Sequence, residues 1–372
     1  MVLGIDTSTY FDEADRGAVY LDESGTPMDP LDAFRQNGVD HMRIRVWNRP
    51  FSPEGKPYLG GGCDLGNFLR LGHLAADKGY KLLLDLHYSD FWADPNKQTV
   101  PKDWAGLGLE ELTEQVHTFT RSTLETIRAE GLDLALIQVG NEITNGMLWP
   151  VGKLTVGENG TPRENYPALA GLLKAGIRAC REVFPQAGIV LHLERSFDQA
   201  VYTEFFTNME ELGVDYDIIG ASYYPYWHGT FEEFFANMDL CGKLFGKPRM
   251  VMETGYGFTL EDYIAEGGGL VFSEDNAQDF LSQIPYPLTP AGQADYISRF
   301  LSLCRAHGIE GVFYWEPLWI PGDGVCWASK EGQAYIHEEG KPTRNEWANQ
   351  CLFDYEGRKL PAFDRFHAKF HC

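Results

Sequence analysis

Residues 135–142 read ALIQVGNE, an apolar run that suits a buried strand and stops on an amide and a carboxylate, Asn141 and Glu142. The same design recurs along the chain. Short runs rich in Val, Ile, Leu and Met, each closing on polar or aromatic residues, span Val2 to Asp6, His41 to Trp47, Lys81 to His87, Ile189 to Glu194, Asp217 to Tyr223, Arg249 to Thr254 and Gly311 to Glu316. Between these expected strands, residues 30–37, 65–78, 109–130, 166–184, 199–212, 231–244 and 289–307 carry apolar side chains at helical spacing. Strands alternating with helices in this way predict an α/β fold, a single (β/α)8 TIM barrel with extended βα loops, because right-handed βαβ units in one sheet close at eight. No Pro- or Ser-rich linker interrupts the series, so residues 1–372 read as one domain.

Composition narrows the partners. The 372 residues are 44% hydrophobic and 23% charged, which suits a large buried core. A net charge of -23 repels phosphate backbones and anionic lipid heads, so neither nucleic acid nor membrane is an expected partner, and a monomer is expected. No apolar run approaches the roughly 20 residues that span a bilayer. The early first strand suits a cytoplasmic protein, the alternative being a secreted one whose signal has been removed. The seven cysteines are scattered and lack a CxxC pair, so they read as isolated reduced thiols. Aromatics reach 13% with nine Trp, enough for a thick core or for flat platforms under ring-shaped ligands.

Near strand ends lie Glu142, and Glu253 in the run RMVMETG, carboxylates that are costly to bury unless paired or used. Retaining glycoside cleavage needs such a pair, about 5 to 5.5 Å apart, one protonated to release the leaving oxygen and one ionised to attack the anomeric carbon. An Arg on the second strand would hold Glu253 ionised; of Arg43 and Arg45, Arg45 lies nearer the strand end and is the favoured one. Asp85 and His87 share one face of the third strand, with Asp90 and Trp92 following in the loop. Asn141 suits the sugar 2-hydroxyl. Tyr223 and Tyr224 are both candidates to hydrogen-bond the nucleophile, and alternation alone leaves the choice open. Trp315 is expected to stack on a sugar ring, and Trp92, Trp149, Trp227 and Trp319 to form outer subsites, with Trp104 and Trp347 left to packing. Glu316 also ends a strand but, beside Pro317, reads as a supporting hydrogen-bond partner.

The stretches NEITNGMLWP (141–150), HYSDFWADPNKQTVPKDW (87–104), MRIRVWN (42–48), YDIIGASYYPYWHGT (216–230) and GVFYWEPLWIPG (311–322) resemble glycoside hydrolase family 53, the endo-β-1,4-galactanases. The resemblance runs from Asp6 to the NQCLFDYEG run near the end. It implies double displacement on β-1,4-linked galactan or type I arabinogalactan, with Glu142 as acid/base, Glu253 as nucleophile and no required cofactor. Some bacterial members carry a calcium loop after the seventh strand. Here that loop offers Glu261, Asp262, Glu274, Asp275 and Asp279 without a D-x-D-x-[DN] pattern, and the expectation is a solvated acidic loop. After the fifth strand, Glu194, Arg195, Ser196 and Phe197 depart from the family's small and acidic residues and are expected to reshape a subsite. The alternatives are a mannanase- or cellulase-like barrel glycosidase and a non-catalytic carbohydrate-binding barrel. Two loops are expected to be long, Asn145 to Asn165 and Gly255 to Leu288.

Overall fold

A computed structural model describes residues 1–156, 164–265, 267 and 269–367. Eight parallel strands pair in a closed ring: β1 (Val2–Asp6), β2 (His41–Val46), β3 (Lys81–Leu86), β4 (Leu134–Val139), β5 (Gly188–Leu193), β6 (Ile218–Tyr223), β7 (Arg249–Thr254) and β8 (Gly311–Trp315). Neighbours in the ring follow chain order and β8 pairs with β1. Helices α1 (Pro30–Gln36), α2 (Leu65–Asp77), α3 (Leu109–Ala129), α4 (Tyr166–Val183), α5 (Gln199–Glu211), α6 (Phe231–Phe245) and α7 (Pro290–Ala306) join consecutive strands. Their starts are chemically marked. Asp29, Asp64, Asp198, Thr230 and Thr289 each accept backbone N–H groups of the first turn, and Pro30 and Pro290 fill positions where no N–H is needed. Among the described residues, no eighth long helix follows β8. Instead the short turn Phe363–Arg365 closes the gap, with Phe363 packed 4.3 Å from Phe34 of α1 and Phe366 6.0 Å from Tyr314 of β8.

The barrel interior is divided along its axis. At the end where the strands begin, Leu83, Leu136, Val190, Ile218, Met250, Met252 and Phe313 form an apolar plug separate from the main core. Glycines on neighbouring strands make room for its large members. A Cβ on Gly4 would lie 2.2 Å from the Phe313 ring, and one on Gly220 would lie 2.7 Å from Met252. At the end where the strands finish, the inward positions turn polar, with Asp6, Arg43, Arg45, Asp85, Gln138, His192 and Ser222 all buried. The plug fixes the barrel and leaves the polar end free for chemistry.

One irregularity re-aims a functional side chain. Against β6, the register moves from Ala221↔Val251 to Ser222↔Glu253, and against β8 it moves from Val312↔Val251 to Tyr314↔Thr254. Strand β7 therefore carries one extra residue against both neighbours, a bulge at Met252–Glu253. Simple alternation would send Met252 inward and Glu253 outward; the bulge brings both in.

The long loops lie past the strand ends. After β4 a two-stranded ribbon pairs Gly146–Met147 with Gly152–Lys153; within the two expected loops, residues 157–163, 266 and 268 lie outside the described residues. A third long loop, residues 316–362 after β8, was not expected, because its short helix Lys330–Tyr335 and its turns carry no strong period. Six cysteines are buried free thiols, and Cys372 lies outside the described residues. Among the described residues, no helix is long and apolar enough to cross a membrane.

Because Phe313 is fully buried and has nowhere to retreat, Gly4→Ala is expected to destabilise the protein by about 1–3 kcal/mol through overpacking. Urea titration checks this as a lower midpoint at unchanged slope; an unchanged midpoint would mean the plug is loosely packed.

Candidate active site

A cavity of about 510 Å³ opens at the strand-finishing end, and Glu142 and Glu253 both line it. Glu142 reaches it from a turn and not from the strand. Strand β4 stops at Val139, Gly140 turns the chain at φ +86°, and Glu142 itself adopts a left-handed conformation (φ 48°, ψ 51°). Such a conformation costs a non-glycine residue about 1–3 kcal/mol and persists where the surroundings enforce it. Tyr88 and Glu316, just past β3 and β8, share it.

Arg43 holds the site together, with all its donors in use. Its Nη1 lies 2.7 Å from Asp6 and 2.9 Å from Glu253, its Nη2 lies 2.8 Å from both Asp85 and Asn141, and its Nε donates to Gln138 at 3.2 Å. The expectation for Arg45 is therefore corrected. Arg45 pairs with Glu316 at 2.5 Å and donates to the Gly60 carbonyl, its guanidinium 4.5 Å beneath the Trp92 ring and outside the cavity lining. Both arginines face inward by alternation; the lower one meets the Glu253 carboxylate because the β7 bulge sets that group deep.

The two candidate carboxyls sit in different fields. Glu142 is pushed well above the usual carboxylate range by burial first, then by the charges of Glu253 and Glu194, against a hydrogen bond from Ser222 Oγ at 2.6 Å. Burial also raises Glu253, to about 7, but Arg43 pulls it down, as does the hydroxyl of Tyr224 donated at 3.1 Å, while Asp6 and Asp85 push up. Glu142 is the better proton holder and Glu253 the better anion. Behind Glu142, His192 Nε2 lies 2.8 Å from Ser222 Oγ, and Gln138 Nε2 lies 3.2 Å from His192 Nδ1. His192 Nδ1 also lies 3.0 Å from Asn141 Oδ1, so the ring links Asn141 and Gln138 to Ser222, which donates to Glu142. Burial holds His192 well below its usual value, so it stays neutral.

Of the remaining expected residues, His87, Trp92, Asn141, Tyr224, Trp315 and Trp319 line the cavity, and Asp85, Asp90, Tyr223 and Trp149 do not. Asp85 supports from below. Burial would raise it, but Arg43 and His87 outweigh that and hold its carboxyl below the usual range. His87 bonds Asp85 through Nε2 (2.8 Å) and accepts from Trp47 through Nδ1 (3.2 Å), which orients the ring. Asp90 staples two loops, accepting from Arg49 N–H and Lys102 N–H at 2.8 Å each. Tyr223 points away from the axis, stacked 5.1 Å from Phe300 with its hydroxyl on the Gly229 carbonyl, because Ser222 and Tyr224 take the inward positions. Trp149 donates to the Asn145 carbonyl outside the cleft. Trp347, expected to be packing, instead lines the cavity and stands edge-on to Trp315 at 4.9 Å. Glu316 is fully buried off the cavity, bonded to Arg45 and to Thr9 Oγ1 at 2.7 Å. Sequence reading missed Asp6, Gln138 and His192, which carried no motif signal, and Trp327, Glu338, Lys341 and Glu346, which lie on the unexpected loop.

Asp262 spends both oxygens on the N–H groups of Ile264 and Gly269, and among the described residues no three His, Cys, Asp or Glu side chains gather as metal ligands.

Comparison with known proteins adds independent findings. Residues 2–366 match the model of glycosyl hydrolase family 53. The chain is 32% identical to an endo-β-1,4-galactanase of Bacillus subtilis, over 98% of this chain and 85% of that protein. The fold superposes on the Ignisphaera aggregans GH53 catalytic domain with a TM-score of 0.88 and 35% identity, covering 100% of this chain and 96% of that one. A structure of fungal β-1,4-galactanases gives a TM-score of 0.76 at 25% identity, covering 98% of both chains.

The cavity-lining carboxyl of Glu194 is a like charge near Glu142, so removing it should ease ionisation of Glu142. In Glu194→Gln the alkaline limb of the pH–kcat/KM profile is expected to move to lower pH while the acidic limb stays. A profile unchanged on the alkaline side would contradict the electrostatic account.

Proposed function

The chain belongs to glycosyl hydrolase family 53, and on that footing we propose that it is an endo-acting β-1,4-galactanase that cleaves galactan and type I arabinogalactan with retention at the anomeric centre. The observation that carries this reading is the pairing of Glu142 and Glu253 in one cavity, in fields that separate an acid from an anion. Glu253, beside Arg43 and Tyr224, attacks the anomeric carbon while Glu142 gives its proton to the departing glycosidic oxygen. The covalent galactosyl ester is then hydrolysed by water that Glu142, now ionised, deprotonates. Asn141 has its Oδ1 on Arg43 and one amide hydrogen on the Ala93 carbonyl, leaving the second hydrogen for a sugar hydroxyl. Trp315, with Trp347 and Trp319 beside it, offers apolar faces for galactose rings.

The names of the relatives support galactan over mannan or glucan. The proposal invokes no cofactor and takes the protein to act as a monomer. The buried, unbonded state of the six described cysteines suits a reducing compartment such as the cytoplasm.

A polysaccharide panel tests the substrate. Pectic galactan is expected to yield galacto-oligosaccharides that appear first as β-anomers by NMR, with mannan and cellulose left intact. Activity confined to mannan or glucan would overturn the galactanase assignment, and initial α-products would overturn retention.

A further inference from the structure

The geometry points to a bridge between the loops after β3 and β8, centred on Lys97 and Glu338, as the device that ends the row of subsites for sugars on the non-reducing side of the cut and so sets product length; this rests on the galactanase reading above. The bridge is a chain of charges. Lys97 Nζ lies 3.1 Å from Asp94 and 3.3 Å from Glu338, and Lys341 Nζ lies 2.6 Å from Glu338. All four side chains line the cavity that holds the two catalytic candidates. The backbone follows the same route: Trp92 Nε1 donates to the Trp327 carbonyl at 2.9 Å, Gly60 N–H to the Cys326 carbonyl at 3.2 Å and Ser329 N–H to the Tyr58 carbonyl at 2.8 Å.

Topology gives this bridge its consequence. In the closed ring β8 and β3 are separated by β1 and β2. A loop from β8 that reaches the loop of β3 must cross the ends of those two strands, and the contacts with Tyr58 and Gly60 lie on that path. The cleft is thus fenced over β1 and β2. Toward β5 and β6 it is lined by Glu194, Trp227 and His228, with Trp227 half exposed. Glu142, in the turn after β4, protonates the leaving oxygen, so the leaving chain lies on the β4–β6 side and the retained sugars lie toward the fence. A long galactan still enters from above, but beyond the bridge it rises out of the cleft and loses contact. Lys97 and Glu338 are each 26% exposed, so salt weakens their attraction.

Product chromatography on galactan, compared at equal numbers of bonds cleaved, tests the bridge in the full chain. Wild type is expected to give a narrow set of short oligosaccharides. In Lys97→Ala and Glu338→Ala the ratio of the longest stable product to the next shorter one should rise at least about twofold. Lys97→Arg, which keeps the charge between Asp94 and Glu338, should keep the wild-type pattern, and rising NaCl should move the unmodified enzyme the same way as the single variants. Wild-type product patterns in both single variants, with no drift in salt, would overturn the inference. A wild-type protein that releases nothing from galactan would sink the underlying activity reading, an outcome distinguishable because no products form at all.

Discussion

The guanidinium of Arg43 is buried in the barrel with a partner for every donor, and the upper half of this molecule is organised around it. Arg43 is wholly buried and touches Asp6 on β1, Asp85 on β3, Gln138 on β4, Asn141 beyond β4 and Glu253 on β7. A carboxylate left without it would be an uncompensated buried charge, worth about 3–5 kcal/mol. One cation therefore ties its own strand to four others and fixes the electrostatics of the candidate nucleophile. A second cluster, Arg45 with Glu316 and Thr9, sits beside it and carries the floor beneath Trp92 and Trp315.

The division of the barrel into an apolar plug and a polar top explains how so much charge is buried in a stable fold. The plug supplies rigidity at the end where nothing reacts, with glycines opposite Phe313 and Met252 admitting large side chains. The polar top has more carboxyls than arginines, so protons must be shared, and the neighbours decide where they stay. Burial and the like charges of Glu253 and Glu194 keep a proton on Glu142; Arg43 and Tyr224 draw it away from Glu253. Left-handed backbone at Tyr88, Glu142 and Glu316 marks the same region.

The strands and helices were legible because each repeats a period over several residues: all eight strands and all seven helices lie within a few residues of their expected spans. Glu142 and Glu253 were legible as carboxylates closing apolar runs, and the motifs around them matched a family. What was not legible depends on a single residue of register or on contacts distant in sequence. Nothing in RMVMETG announces the bulge that turns Glu253 inward, so Arg45 looked the nearer partner when Arg43 is the actual one. Tyr223 and Tyr224 needed the inward position of Ser222 to be told apart. The β8 loop, with Trp347 and the Lys97–Glu338 pair, has neither period nor motif; its course is set by hydrogen bonds to loops hundreds of residues away.

The account turns on different roles for two carboxyls in one cavity, and azide rescue reads those roles directly. With an activated aryl β-galactobioside, Glu253→Ala plus azide is expected to give the α-glycosyl azide, the small anion attacking from the vacated nucleophile side. Glu142→Ala plus azide should give the β-glycosyl azide, because the covalent intermediate still forms and azide replaces water. The same anomer from both variants, or the two anomers exchanged, would contradict the assignment.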